Sequence, residues 1–348
     1  MLTDRIEGKW IDCFARVFTL CRVAPGEPVA ILSETQSRRL NVALAELALL
    51  RLGARVFHVV MPTPPQTEAV PIRSTGASDA VQGIEPVVKA LAAAGMVVDC
   101  TVEGMLHAPE LTAILKGGAR LFMISNEHPD VLERTMPTAA LRAKVLAAGA
   151  MLGKAEEMRV TSAAGTDLTI RVAGAPVRAS GGIADEPGRV AYWPAGLCLC
   201  FPRAGSVNGR LVLAEGDVNL TFKRYLESPV ALTIENDHVT RIEGDGVDAA
   251  LMRSYFAAWG DREAYATSHV GWGMNPAARW DAMVMYDKRD INGSELRAFA
   301  GNFLYSTGAN EHAGRFTKGH FDLPLRGCTV ALDGQIVVKD GVLQDAFA

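Results

Sequence analysis
PVAILSETQSRRLNVALAELALLRLGARVFHVV, residues 28–60, decides the class of the first half of this chain. Pro28 to Leu32 is a short apolar strand. Ser33-Glu34-Thr35 supplies cap-type residues, and 37–52 carries Leu and Ala at helical spacing. Gly53 ends that helix, and Ala54 to Val60 is a second strand. Strand, helix and strand in this order form a βαβ unit, so a parallel sheet is expected. The pattern continues with a helix near 84–94, a strand Met96 to Cys100 and a helix near 109–116. A strand Ala119 to Ile124 and a helix from about 138 to 152 complete it. No G-x-G-x-x-G joins the first strand to its helix, so a dinucleotide site lacks its phosphate turn.

From about 156 the texture changes. Met158 to Ser162, Thr166 to Val172, Arg210 to Leu213 and Val230 to Glu235 are short runs separated by Gly, Asp and Asn. They read as antiparallel strands. The pieces 248–258 and 295–302 read as helices, and Cys328 to Val338 reads as a hairpin turning at Asp333-Gly334. The expected plan is an α/β domain with a parallel sheet over 1–155 and a β-rich α+β domain over 156–348 that carries the chemistry.

Composition bounds the function. The 348 residues are 49% hydrophobic and 21% charged, enough to bury sizeable cores. Net charge is −4, without the basic surplus of a nucleic-acid binder. Met1-Leu2-Thr3-Asp4-Arg5 does not open a secretory signal, and no apolar run reaches the length of a membrane span. Cys13, Cys21, Cys100, Cys198, Cys200 and Cys328 are scattered, as reduced thiols are. These readings predict a cytoplasmic protein with neither nucleic acid nor membrane as partner. Cys198-x-Cys200 has no second pair to complete a zinc set and reads as same-face strand packing.

The chemistry concentrates near the end of the chain. In Gly319-His320-Phe321-Asp322, His320 and Asp322 are two apart and share one face of a strand. With His269 upstream, two His and one Asp make the ligand set of non-haem Fe(II) oxygenases, which leaves positions open for substrate and oxygen. An ordinary strand with a satisfied polar pair has the same spacing.

Three segments read together narrow this. They are Tyr192-Trp193-Pro194-Ala195-Gly196-Leu197, His269-Val270-Gly271-Trp272-Gly273-Met274-Asn275-Pro276, and Ser306 through Leu325. Their order resembles the aminopeptidase T metallopeptidases, which carry Pro-x-Gly-Glu, then Glu before Gly-x-Gly-x-Asn-Pro, then a final His-x-Asp. Here Leu197 and His269 stand where that family has its two Glu. A two-metal hydrolase needs bridging carboxylates, so their loss favours a single metal with nitrogen ligands. The altered pattern resembles the 2,5-dihydroxypyridine 5,6-dioxygenase family of ring-cleaving enzymes. That resemblance implies Fe(II) bound by His269, Ser306, His320 and Asp322, with no organic cofactor. It implies a small aromatic N-heterocycle and O₂ as partners, N-formylmaleamate as product in nicotinate degradation, and a homo-oligomer. A metallopeptidase and a non-catalytic small-molecule-binding protein are the competing readings.

Secondary candidates follow. His107 lies just after the strand Met96 to Cys100, where ligands gather in parallel sheets, and is expected to act as acid or base on the ring hydroxyl. Tyr192 is a candidate hydrogen-bond donor to substrate, and Trp193 reads as core. His312 reads as a surface or lid residue, and whether 302–318 acts as a lid is left open by the sequence. Arg315 and Lys318 could attract an anionic substrate, but isolated charges in a loop are usually just solvated. His58 and His238 have no supporting context, and His128 reads as a helix-entry residue.

Overall fold
The computed structural model describes residues 3–67, 70 and 76–344. A five-stranded parallel sheet forms in the spatial order Arg55–Met61, Pro28–Glu34, Met96–Asp99, Arg120–Ile124 and Val190–Trp193. Pro28–Glu34 pairs with Arg55–Met61 from Pro28↔Arg55 to Glu34↔Met61. The βαβ reading of 28–60 is therefore the registration that starts the sheet. Its fifth strand, Val190–Trp193, pairs parallel with Arg120–Ile124, so the chain returns to this sheet after residue 156.

Helices Gly8–Leu20 and Arg39–Arg51 cover one face, where Phe14, Phe18, Leu44 and Trp193 are buried. Helices Glu85–Ala92 and Leu111–Lys116 cover the other, over Leu32, Val97, Leu121 and Met123. Burial on both faces is what gives Pro28–Glu34, Met96–Asp99 and Arg120–Ile124 apolar runs rather than alternation.

The remainder packs an eight-stranded and a five-stranded antiparallel-rich sheet on either side of one apolar core with the helix Val247–Trp259. The five-stranded sheet runs Arg315–Leu325, Phe303–Asn310, Thr267–Gly273, Leu197–Cys200 and Val177–Ser180. Cys198 and Cys200 point together into the core, as expected. The terminal hairpin turns at Asp333 (φ 48°) and Gly334 (φ 84°), both in the left-handed region. That is the backbone a two-residue hairpin requires.

In the segment 302–318, whose role the sequence leaves open, Phe303–Asn310 is a buried central strand and Glu311–Ala313 a short turn of helix. The helix read at 295–302 stops at Ala298. Among the described residues no helix is long and apolar enough to cross a membrane.

Candidate metal centre and ring-binding cavity
One face of the five-stranded antiparallel-rich sheet carries most of the site. Ser306 and Asp322 are direct cross-strand partners, and His320 lies opposite Gly308. His320 and Asp322, two apart on their strand, both face a cavity of about 540 Å³. His269 lies where the pairing of Thr267–Gly273 with Phe303–Asn310 slips between Thr267 and Val270. Such a bulge re-aims a side chain, and here His269 joins the same cavity.

His320 Nε2 lies 3.3 Å from Asp322 Oδ2, and His269 Nε2 lies 3.7 Å from Oδ1. Neighbouring donors on an octahedral divalent ion, with bonds of about 2.1 Å, stand about 3 Å apart. The spacing therefore fits a divalent ion between two imidazoles and a carboxylate, a donor set suited to first-row transition metals. Ser306 Oγ donates to Asp322 Oδ1 and is fully buried on its strand, so it caps neither a helix nor a turn. Phe201 packs edge-on to His269 with ring centroids 5.6 Å apart and helps hold its orientation.

His107 enters from the parallel-sheet side. Its ring centroid lies 5.2 Å from that of His320 and 6.4 Å from that of His269. Donor atoms of His107, His269 and His320 all lie within 4.8 Å of one another. The same geometry thus offers a second set of three imidazoles.

Electrostatics separate the roles. Burial lowers the His269 imidazole to about 3, so it is neutral and free to donate a lone pair. Burial, reinforced by His320 and His269, takes His107 well below the usual histidine range. For Asp322, burial pushes the carboxyl up, but His320 and then Arg297 outweigh it and hold the group well below the usual carboxylate range. The result is a fixed anion facing the neutral imidazoles of His269 and His107.

The cations at the site are neither Arg315 nor Lys318. Arg315 is buried in an ion pair with Asp237, and Lys318 pairs with Asp79 at 3.7 Å. Neither lines the cavity. Arg297 and Arg178 do. Arg297 Nε donates to Asp322 Oδ2, and Arg178 lies over the Phe201 ring at 5.0 Å. Arg297 sits on the short helix Ser294–Ala298, whose preceding backbone is tied to Glu127. Nothing near Ser294-Glu295-Leu296-Arg297 signals this, since the partner lies on another strand. Arg178 likewise stands in a strand with no local motif.

Tyr192 lines the cavity, and burial raises its phenol. Leu197 and Leu199 face the same space, where a metallopeptidase would need carboxylates. Trp193 is fully buried and donates to the Thr135 carbonyl. His128 is a helix N-cap, accepting from Asp130 N through Nδ1. His312 packs edge-on to Phe201 at the rim. His58 and His238 pair with Glu46 and Glu263, away from the cavity.

The chain is similar to known proteins along nearly its whole length. The family model of NicX, described as 2,5-dihydroxypyridine 5,6-dioxygenase, matches residues 9–345. A curated 2,5-dihydroxypyridine 5,6-dioxygenase of Pseudomonas putida KT2440 is 39% identical over 332 residues, covering 94% of each chain. A solved structure of 2,5-dihydroxypyridine dioxygenase from Pseudomonas putida KT2440 superposes with a TM-score of 0.90 at 36% identity, covering 99% of each chain. AmpT from Thermus thermophilus superposes with a TM-score of 0.66 at 15% identity, covering 96% of this chain and 98% of its own, which shows a shared fold alone. The chain belongs to the 2,5-dihydroxypyridine 5,6-dioxygenase family.

Proposed function
We propose that this chain opens the ring of 2,5-dihydroxypyridine between C5 and C6 with O₂, using one Fe(II) ion held by His269, His320, Asp322 and Ser306. The observation that supports the reading is the convergence of His269, His320 and Asp322 at the cavity, with Ser306 hydrogen-bonded to Asp322 behind them. The C5–C6 bond breaks, both oxygen atoms of O₂ enter the product, and the product is N-formylmaleamate. When bound, the iron supplies open coordination positions and redox chemistry for ring and oxygen.

The protein residues supply position and proton control. His107 stands across the cavity from the metal ligands and takes the proton of a ring hydroxyl at an imidazole nitrogen. Arg178 and Arg297 balance the negative charge left on the deprotonated ring. Leu197, Leu199, Leu304 and Phe201 hold the ring flat and keep water from it. Holding the reactants in this geometry turns an encounter into a positioned reaction.

The test is anaerobic reconstitution with Fe(II), then addition of 2,5-dihydroxypyridine in aerated buffer. The expected result is loss of its ultraviolet band with one O₂ consumed per substrate, only when iron is present. An unchanged band with iron stably bound refutes the substrate assignment. The three-imidazole set makes the opposite forecast for one variant. His107→Ala keeps iron and slows turnover in the proposed assignment, whereas loss of iron in that variant would establish His107 as a ligand.

A further inference from the structure
We infer that Asp99 is a positioning residue for His107: its buried carboxylate ties down the loop that delivers the imidazole to the cavity. This rests on the acid–base role proposed for His107. Asp99 ends the parallel strand Met96–Asp99 and is fully buried. Its Oδ1 accepts from Thr101 N at 3.0 Å and from Thr101 Oγ1 at 2.6 Å, and its Oδ2 accepts from Met105 N at 2.7 Å. Thr101 Oγ1 in turn accepts from Gly104 N at 3.1 Å. Three of the backbone N–H groups from 101 to 105 thus converge on one carboxylate and its hydroxyl partner. His107 follows two residues later.

A second clamp acts on the same loop. Ser78 N donates to Gly104 O and His107 N donates to Gly76 O, each at 2.8 Å. Gly76 has φ +66°, and a Cβ there would stand 3.0 Å from His107 Cδ2, so the glycine backbone forms a wall against the ring. Ser78 Oγ donates to Glu34 Oε1 at 2.6 Å. Glu34 ends Pro28–Glu34, the neighbouring parallel strand. Two buried carboxylates at adjacent strand ends therefore anchor the two loops that grip His107.

Ionised carboxylates are costly to bury, and burial raises Asp99 to about 6. Apolar packing of Met105 would secure the loop's existence at less expense in desolvation. What the carboxylate adds is a fixed direction for each N–H, hence a fixed place for the ring. A displacement of about 1 Å near reacting atoms is enough to cost roughly 10²-fold in rate.

The test is Asp99→Asn in the Fe(II)-loaded enzyme with 2,5-dihydroxypyridine. The amide keeps the size but presents N–H where the site needs an acceptor. The expected result is iron content and KM within twofold of wild type, kcat lower by about 10- to 100-fold, and faster amide hydrogen exchange over 103–107. In a His107→Ala background the same substitution should add less than twofold, because coupled residues are non-additive. An equal loss of kcat in that background, or wild-type kcat in a folded Asp99→Asn, overturns the inference. If Asp99→Asn does not fold, Thr101→Val carries the same test with the same two refuting results. Wild-type activity in His107→Ala alone would instead sink the role proposed for His107, and is read from a different variant.

Discussion

Glu127→Gln offers the sharpest test of how the two halves of the molecule are joined at the site. Glu127 is buried, with its Oε2 accepting from Asn292 N at 2.8 Å and its Oε1 from Gly293 N at 2.9 Å and Ser294 N at 3.1 Å. These three amides precede and open the helix that carries Arg297. In the Gln variant the amide oxygen retains two of the three bonds, and its NH₂ confronts the third donor. One orphaned buried N–H costs about 1–3 kcal/mol. Exchanging charge-assisted for neutral acceptance removes roughly 1 kcal/mol more from the bonds that remain. Burial already raises the Glu127 carboxyl, so some of the anion's benefit is offset in the wild type. That places the net loss near 2 kcal/mol. With a urea slope of about 3 kcal/mol/M, the midpoint should fall by roughly 0.7 M. Arg297 should lose its fixed place beside Asp322, so KM for 2,5-dihydroxypyridine should rise while the iron content holds. A Glu127→Gln protein with an unchanged midpoint and unchanged KM would refute the view that this carboxylate positions Arg297.

Further outcomes follow from the same geometry. His320→Ala and Asp322→Ala should each lose iron and activity together, checked by metal analysis beside oxygen uptake; iron retained at full stoichiometry in both would show that the ligands lie elsewhere. Arg178→Ala should raise KM for 2,5-dihydroxypyridine about tenfold with kcat nearly unchanged, the pattern of a group that binds ground and transition states alike. Asp217 gives a pH test away from the site. Burial raises its carboxyl from 3.8 to about 6 against the pull of the Arg326 and Ala214 amides. A raised folded-state value means that the stabilising contribution is full below about 3.8 and is lost as pH rises through about 6. Relative to wild type, Asp217→Asn should therefore gain roughly 2–3 kcal/mol between pH 4 and pH 8. A stability difference that stays flat across that range would contradict the reasoning.

Much of the fold was legible because local periodicity and tertiary burial agree. Residues 28–60 pass from an apolar run through a helical Leu/Ala stretch to a second run, the order of a βαβ unit. The helix Gly8–Leu20 opens without a side-chain cap, and only the tertiary structure shows it covering a face of the parallel sheet. The strand Val190–Trp193 reads as part of a turn motif, and only the tertiary structure shows it completing the parallel sheet. At the site, the i and i+2 spacing of His320 and Asp322 was sufficient to place both on one strand face, since a pleat alternates regardless of context.

His269 joined that pair as the second imidazole of a two-His, one-Asp set and Ser306 through family likeness, and the structure supplies the physical link. Ser306 is the cross-strand partner of Asp322, and His269 stands in a register slip. Neither relation is written in the local sequence, because register depends on how three strands pair after folding. The same limit explains the arginines. Arg315 looked exposed from its polar neighbours but is buried against Asp237, while Arg297 and Arg178 reach the cavity from unrelated elements. The chain by itself determined which residue types stand at which strand positions. Which cations meet which anions, and which imidazoles share a cavity, was decided only by long-range packing, since charge pairing acts through space and not along the chain.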